Sequence, residues 1–245
     1  MNFLLLEQVD STNSYVSVHA GELDDMTMVI ADTQTAGRGQ RGNSWESEPG
    51  RNLTFTLLHR PKGIAPREQF AISEATALAI ADFLEETGIE AKVKWPNDIY
   101  AGDSKIAGIL IEHSLTGSAI TDTRIGVGLN VNQREFRSDA PNPVSMANLL
   151  GADTDISRVA ARVGAHLEAR LSLAATPEGR EEMHREFKRR LWRGDGATHP
   201  FRRRDTGETF PGVITDVSPE GPITILDTAS GSTSIFMFKE VEFLL

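Results

Sequence analysis

A glycine- and arginine-rich segment at residues 35–45, TAGRGQRGNSW, has the side chains best suited to hold an anion. Backbone N–H groups together with Arg38 and Arg41 could surround a negative group there. Neither common phosphate motif fits, however. Asn43 stands where a Walker A loop needs lysine, and no helix follows the last glycine, as a dinucleotide fingerprint requires. On this segment alone, an ordinary surface loop is the better interpretation.

Three further segments combine small, apolar and charged residues in a way that suits a ligand pocket. KWPND (94–98) places a cation, an indole, a proline and a carboxylate at a strand end. KIAGILIE (105–112) begins with a lone lysine, and Gly108 removes a side chain where another group could approach closely. GVGLNVN (126–132) alternates glycines with apolar residues and ends in asparagine. Each is also compatible with a plain strand or turn, but together they predict one pocket with a floor of small residues.

The elements that must position these segments alternate between strands and helices. Besides an opening strand at the N-terminus, the patterns of β-branched and apolar residues predict strands at 26–32, 52–60, 91–95, 105–115 and 123–132. Helical spacing, with proline at the start and glycine at the end, predicts helices at 66–88, 156–175 and 177–192. Because only turns separate the last three strands, antiparallel pairing is the economical arrangement.

From about Gly194 the sequence becomes a series of short β segments broken by Gly, Pro and Asp turns, which is typical of a small barrel. We therefore place a domain boundary at 192/193. The predicted fold class is α+β: a mixed, largely antiparallel sheet with helices on one face, followed by a small β domain.

Composition and charge argue against several classes of protein. The chain of 245 residues has a net charge of −10, and such an acidic chain is a poor candidate for non-specific nucleic-acid binding. It has no cysteine, which removes disulfides, thiolate nucleophiles and Fe–S ligation. The N-terminus lacks the basic region of a signal peptide, and no apolar run approaches the roughly 20 residues of a membrane span. We expect a cytoplasmic protein without DNA or membrane partners.

Five motifs occur in the order and approximate spacing of biotin–protein ligases, and the sequence resembles that family over nearly its whole length. The motifs are STN (11–13), TAGRGQRGNSW (35–45), KWPND (94–98), KIAGILIE (105–112) and GVGLNVN (126–132). The resemblance implies a catalytic domain of class II synthetase type at 1–192 and an SH3-like barrel at 193–245. Because STN starts at residue 11, the chain resembles the short form of the family, which has no N-terminal DNA-binding domain.

The resemblance implies an ATP-dependent ligase that activates biotin as biotinyl-5′-AMP and transfers it to a lysine of a biotin carboxyl carrier domain. ATP, biotin and Mg²⁺ are the expected small molecules, and no metal site made by protein side chains is predicted. The first step brings two anions together, so fixed positive charge is expected to assist it. Since water would destroy the intermediate, the glycine loop is expected to close over the ligand. Monomer and homodimer both stay open.

The resemblance also implies roles for individual residues. Lys105, Arg38 and Asp98 are the predicted catalytic residues, with Lys105 beside the biotin carboxylate and the phosphoryl group. Trp45 is expected to stack beside adenine, with Asn130 hydrogen-bonding nearby. Trp95 is expected in the core. The full set of predicted ligand-binding residues is Ser11, Thr12, Asn13 and Gln34 at the ureido end of biotin, and Gly37, Arg38, Gly39, Gln40, Arg41, Trp45, Asn97, Lys105, Gly108, Gly126, Gly128 and Asn130.

Two positions depart from the commonest family form of the loop, which has arginines where this chain has Gln40 and Asn43. Both departures remove cations that would help retain the adenylate. Our hypothesis is that Arg41 and Lys105 carry more of the phosphate neutralisation in this chain.

Two other functions compete with biotin ligation. Lipoate–protein ligases share the catalytic architecture and an essential lysine, but they usually carry a different glycine and arginine signature and lack KWPND. A biotin-binding regulator that does not transfer biotin is the second alternative, because two loop cations are missing. ATP-dependent labelling of a carrier domain would separate these functions.

Overall fold

The larger part of the molecule is a seven-stranded mixed sheet. The structure is a computed structural model that describes residues 1–40, 43–138 and 142–245. The strand order is β1-β2-β3-β7-β6-β5-β4; β1 and β2 are parallel and all other neighbours are antiparallel. This arrangement confirms the predicted fold class. The strands are β1 (Asn2–Val9), β2 (Thr27–Gln34), β3 (Leu53–His59), β4 (Lys92–Lys94), β5 (Asp98–Ala101), β6 (Ser104–Thr116) and β7 (Ala119–Leu129).

The predicted helices are present, and two short ones were not predicted. The N-terminal caps follow from the sequence: the side chains of Asp155 and Thr176 accept hydrogen bonds from the first turns of the two C-terminal helices. Gly88, at a φ of +84°, follows the longest helix of the N-terminal half. The helices are α1 (Thr12–His19), α2 (Phe70–Glu86), α3 (Met146–Leu150), α4 (Ile156–Ala174) and α5 (Pro177–Arg189), of which α1 and α3 are the unpredicted ones.

The strand period of two assigns successive side chains to opposite faces of the sheet. Met28 and Ile30 of β2 belong to the main core, which α2, α4 and α5 complete on one face. Val29, between them, packs instead with Val16 of α1 on the other face. The unpredicted helix α1 therefore covers the face opposite to the long helices.

One strand of the large sheet was missed by the sequence patterns. The segment DIYA forms β5, which lies between β4 and β6, so the predicted strand at 91–95 pairs with β5 rather than with 105–115. Four residues are too few to show a periodicity of their own. The KWPND motif is consequently the turn from β4 into β5, and this turn brings Asp98 beside Gly108 of β6.

The C-terminal part is a five-stranded antiparallel sheet with the order β11-β10-β9-β8-β12. It packs against the first part through Trp95, which is buried and donates a 2.8 Å hydrogen bond from Nε1 to the carbonyl of Gly221. This confirms that Trp95 is a core residue, while the boundary at 192/193 stays a prediction. The strands are β8 (His199–Arg203), β9 (Thr209–Val217), β10 (Ile223–Asp227), β11 (Thr233–Phe236) and β12 (Val241–Phe243).

Candidate active site

A pocket on the α1 face of the large sheet collects most of the predicted residues. Its floor is β6 and β7, and its walls are the start of α1, the end of β2 and the glycine loop. The predicted residues that line it are Ser11, Thr12, Asn13, Gln34, Arg38, Gly39, Gln40, Trp45, Asn97, Asp98, Lys105, Gly108, Gly126 and Gly128. Gly37 and Asn130 lie outside this lining. Arg41 lies outside the described residues, so its predicted role is not addressed by the structure.

Lys105 and Asp98 form the charged end of the pocket. Lys105 Nζ lies 2.7 Å from Asp98 Oδ1, and the two side chains are 24% and 20% exposed. The neighbouring residue Asn97 fixes the turn that carries Asp98: its Nδ2 donates to the carbonyl of Ile109 at 2.6 Å, and Ile109 N donates back to the Asn97 carbonyl. A partly buried ammonium held by a carboxylate is a pre-positioned cation for an anionic ligand.

Lys94, in the same motif, is not one of the residues that line the pocket. Its Nζ donates a 2.8 Å hydrogen bond to the Tyr100 hydroxyl and lies over the Trp192 ring. Burial lowers the pKa of Lys94, and burial raises the pKa of Tyr100. Lys94 therefore supports the strand β5 rather than lining the pocket.

The glycines of β6 and β7 make room for an aromatic ring. A Cβ atom on Gly128 would collide with the Trp45 indole, and one on Gly108 would lie 3.0 Å from Trp45 Cζ3 and 3.2 Å from Lys105 Nζ. The indole thus covers the glycine floor, with Lys105 Nζ at 5.7 Å from the ring centre. The cavity that remains is about 50 Å³, well below the roughly 300–1,000 Å³ of ligand pockets. A ligand with a bicyclic ring must therefore displace the indole, whose Nε1 is buried without a hydrogen-bond partner among the described residues.

The opposite end of the pocket is neutral and hydrogen-bonding. The backbone N–H of Thr12 donates to Gln34 Oε1 at 2.8 Å, and Thr12 Oγ1 lies 2.8 Å from Thr56 Oγ1. Asn13 hydrogen-bonds to Thr56 and to Glu112, which also pairs with Arg38 at 2.9 Å.

Sequence reasoning missed Thr56 and Glu112. Thr56 is hidden in an apolar strand, and Glu112 is the last letter of the KIAGILIE motif. The position of Glu112 in that motif was the one available signal.

The two described residues outside the lining support its walls. The carbonyl of Gly37 accepts a hydrogen bond from Trp45 N at 2.9 Å. Asn130 Nδ2 donates to the carbonyl of Val144, whose N–H donates to the carbonyl of Lys105. Asn130 therefore holds the chain segment next to Lys105.

Two features are absent from residues 1–40, 43–138 and 142–245. No group of three His, Cys, Asp or Glu side chains clusters there as a metal site would require. No helix in those ranges is long and apolar enough to cross a membrane.

Comparison with known proteins identifies the family. Residues 5–130 match the model of the biotin/lipoate A/B protein ligase family. The chain belongs to this family. The matched residues contain every pocket-lining residue named above, from Ser11 to Gly128.

Individual members of the biotin/lipoate A/B protein ligase family are similar over different lengths. The chain is 34% identical over 174 residues to the bifunctional ligase/repressor BirA of Escherichia coli, covering 69% of this chain and 53% of BirA. It is 38% identical over 130 residues to the biotin–[acetyl-CoA-carboxylase] ligase of Paracoccus denitrificans, covering 52% and 53% of the two chains. The chain thus spans about half the length of these curated relatives. The structure resembles the biotin protein ligase of Aquifex aeolicus in complex with biotin and ATP, with a TM-score of 0.79, 25% identity, and coverage of 98% of this chain and 97% of that one.

Proposed function

We propose that this protein is an ATP-dependent biotin ligase that forms biotinyl-5′-AMP and transfers the biotinyl group to a lysine of a biotin carboxyl carrier domain. The observation that carries the proposal is the polarity of the pocket. Around Thr12 it offers uncharged hydrogen-bonding groups, beside the already paired Arg38 and Glu112, and its other end holds the Lys105–Asp98 ion pair. Biotin has the same polarity, with a neutral ureido ring at one end and a carboxylate at the other.

In the first step an oxygen of the biotin carboxylate attacks the α-phosphorus of ATP, the bond to the β-phosphate oxygen breaks, and pyrophosphate leaves. Negative charge accumulates between two groups that already repel each other. The Lys105 ammonium, already fixed 2.7 Å from Asp98, stabilises this charge without reorganising. Arg38 also lines the pocket, where it pairs with Glu112, and we assign it to contact the ligand from that side.

In the second step the uncharged amine of the carrier lysine attacks the biotinyl carbonyl, AMP leaves and the nitrogen loses a proton. Asp98 is the carboxylate among the described lining residues, and we assign it to receive the incoming lysine. Mg²⁺ is expected to arrive with ATP, because magnesium in such sites is held mainly by phosphates with one or two carboxylates. Among the described residues that line the pocket, Asp98 would supply the carboxylate oxygen for the magnesium ion.

The test is ATP-dependent incorporation of biotin into a biotin carboxyl carrier domain, followed by mass spectrometry, with lipoate offered in competition. The proposal predicts biotin on a single carrier lysine and no lipoyl product. Incorporation of lipoate would favour the lipoate ligases of the same family. Tight biotin binding without transfer would favour a regulator.

A further inference from the structure

We propose that Glu112 is a positioning residue that fixes the direction of the hydrogen bonds leading to Thr12 and so makes the neutral end of the pocket selective for a ligand N–H. The proposal rests on the proposed function and deepens it. Glu112 is not among the lining residues of the pocket, yet its Oε2 contacts two residues that are. It accepts hydrogen bonds from Arg38 Nη2 at 2.9 Å and from Asn13 Nδ2 at 3.2 Å.

Stability alone does not account for this arrangement. The Arg38 and Glu112 side chains are 45% and 36% exposed, and ion pairs at such sites contribute about 0–1 kcal/mol. Arg124, whose Nε lies 3.9 Å from the same carboxylate oxygen, is more buried. The carboxylate therefore lies between two cations, and a carboxylate only accepts hydrogen bonds.

An acceptor at this position determines the orientation of the Asn13 amide. Nδ2 must face Glu112, where the carbonyl of Leu110 is also within 3.4 Å, and Oδ1 must then face Thr56. An amide oxygen cannot donate, so the Thr56 hydroxyl donates its single proton to Asn13.

The direction of these hydrogen bonds also decides which group the Thr12 hydroxyl can donate to. Since the Thr56 proton is committed to Asn13, the proton of the Thr12 hydroxyl goes either to Thr56 Oγ1 at 2.8 Å or to Gln34 Oε1 at 3.2 Å. Thr12 Oγ1 then has only lone pairs to offer a ligand. Gln34 Oε1 accepts from the backbone N–H of Thr12 at 2.8 Å and is the second acceptor within reach of the Thr12 hydroxyl.

A lone pair at Thr12 selects between the two substrate types of the family by chemistry. A ureido ring carries N–H donors that can satisfy it, whereas the dithiolane ring of lipoate carries none. A buried acceptor left without a donor costs more than an ordinary hydrogen bond contributes, so sites of this kind reject the wrong ligand strongly.

The experiment compares Glu112→Gln, Thr56→Val and the double variant. A glutamine at 112 can also donate, so the Asn13 amide is free to reverse. The hydrogen bonds that lead from residue 112 through Asn13 and Thr56 to Thr12 then lose their fixed direction. We expect the KM for biotin to rise about tenfold in each single variant, with kcat and the KM for ATP within about twofold. Because both changes interrupt the same series of hydrogen bonds, the KM for biotin of the double variant should be no higher than that of Thr56→Val. Thr56→Ser, which keeps the hydroxyl, should have the wild-type KM.

A second readout separates positioning from a structural role. Wild-type enzyme should prefer biotin to a biotin methylated on a ureido nitrogen, and Glu112→Gln should reduce that preference about tenfold. The matched control is Glu86→Gln, which removes a carboxylate that pairs with Arg162 outside the pocket, and it should change neither value.

An unchanged preference and KM in Glu112→Gln, or additive losses in the double variant, would overturn the assignment. If wild-type protein transfers no biotin, the proposed function fails instead. Direct titration of the variants with biotin would then still test the hydrogen bonds that lead from Glu112 to Thr12.

Discussion

Gly126→Ala tests directly how the Asn13 side chain is held. Gly126 lies in β7, hydrogen-bonded between β3 and β6, so its backbone cannot retreat. An added Cβ would collide with Asn13 Oδ1 and lie 3.0 Å from Cγ and 3.1 Å from Nδ2 of the same amide. The methyl group must therefore push the Asn13 side chain away from Thr56 and Glu112.

The expected size follows from three contributions. Forcing a methyl group into a packed site costs about 1–3 kcal/mol. Losing the hydrogen bonds of Asn13 costs about 1 kcal/mol each. Alanine in place of glycine in a strand returns about 0.5–1 kcal/mol. We predict a net loss of about 3 kcal/mol in the free energy of unfolding and a fall of about tenfold in biotin affinity.

Urea denaturation and calorimetric titration with biotin measure the two quantities. The matched control is Gly21→Ala, because a Cβ there meets no atom within 4 Å and no positive φ is involved. It should lie within about 0.5 kcal/mol of wild type and bind biotin equally well. Wild-type stability and biotin affinity in Gly126→Ala would show that Asn13 is not held as described.

Three further predictions concern transfer, retention and pH. Asp98→Asn should slow transfer to the carrier about 100-fold and adenylate formation at least about tenfold, because Asp98 also holds the Lys105 ammonium; single-turnover assays would separate the two steps. Gln40→Arg should slow release of biotinyl-5′-AMP about tenfold or more, measured by filter binding. An unchanged release rate would show that the missing cation at position 40 does not weaken retention of the adenylate. Burial, with Arg124 nearby, lowers the pKa of His113. The folded state then binds fewer protons than the unfolded one below about pH 6.5. Urea denaturation should show wild type losing stability relative to His113→Gln from pH 7.5 to 5.5, whereas a constant difference would contradict this.

The pocket was largely predictable because its residues carry local signals. Alternating glycines in a strand indicate a face kept free of side chains, and the period of two places Gly126 and Gly128 opposite the core residue Val127. Lys105 is a lone cation at the head of an apolar strand, and Asp98 is the carboxylate that closes the KWPND motif. The structure brings them to 2.7 Å from each other.

The missed features depend on contacts between distant parts of the chain. Helix α1 is eight residues long and has weak helical periodicity, and packing against β2 and β3 stabilises it instead. Thr56 looks like any residue of a buried strand until α1 brings Thr12 to it. The position of the Trp45 indole over the glycine floor depends on tertiary packing in the same way.

The central claim is that this pocket activates biotin on ATP, and biotin-dependent exchange of labelled pyrophosphate into ATP tests it most directly. Wild-type protein should catalyse the exchange only when biotin is present. Lys105→Met, checked for native thermal unfolding, should reduce the rate about 10²–10³-fold, because it removes the fixed cation beside the reacting phosphate. Exchange that ignores biotin, or that survives Lys105→Met unchanged, would contradict the account.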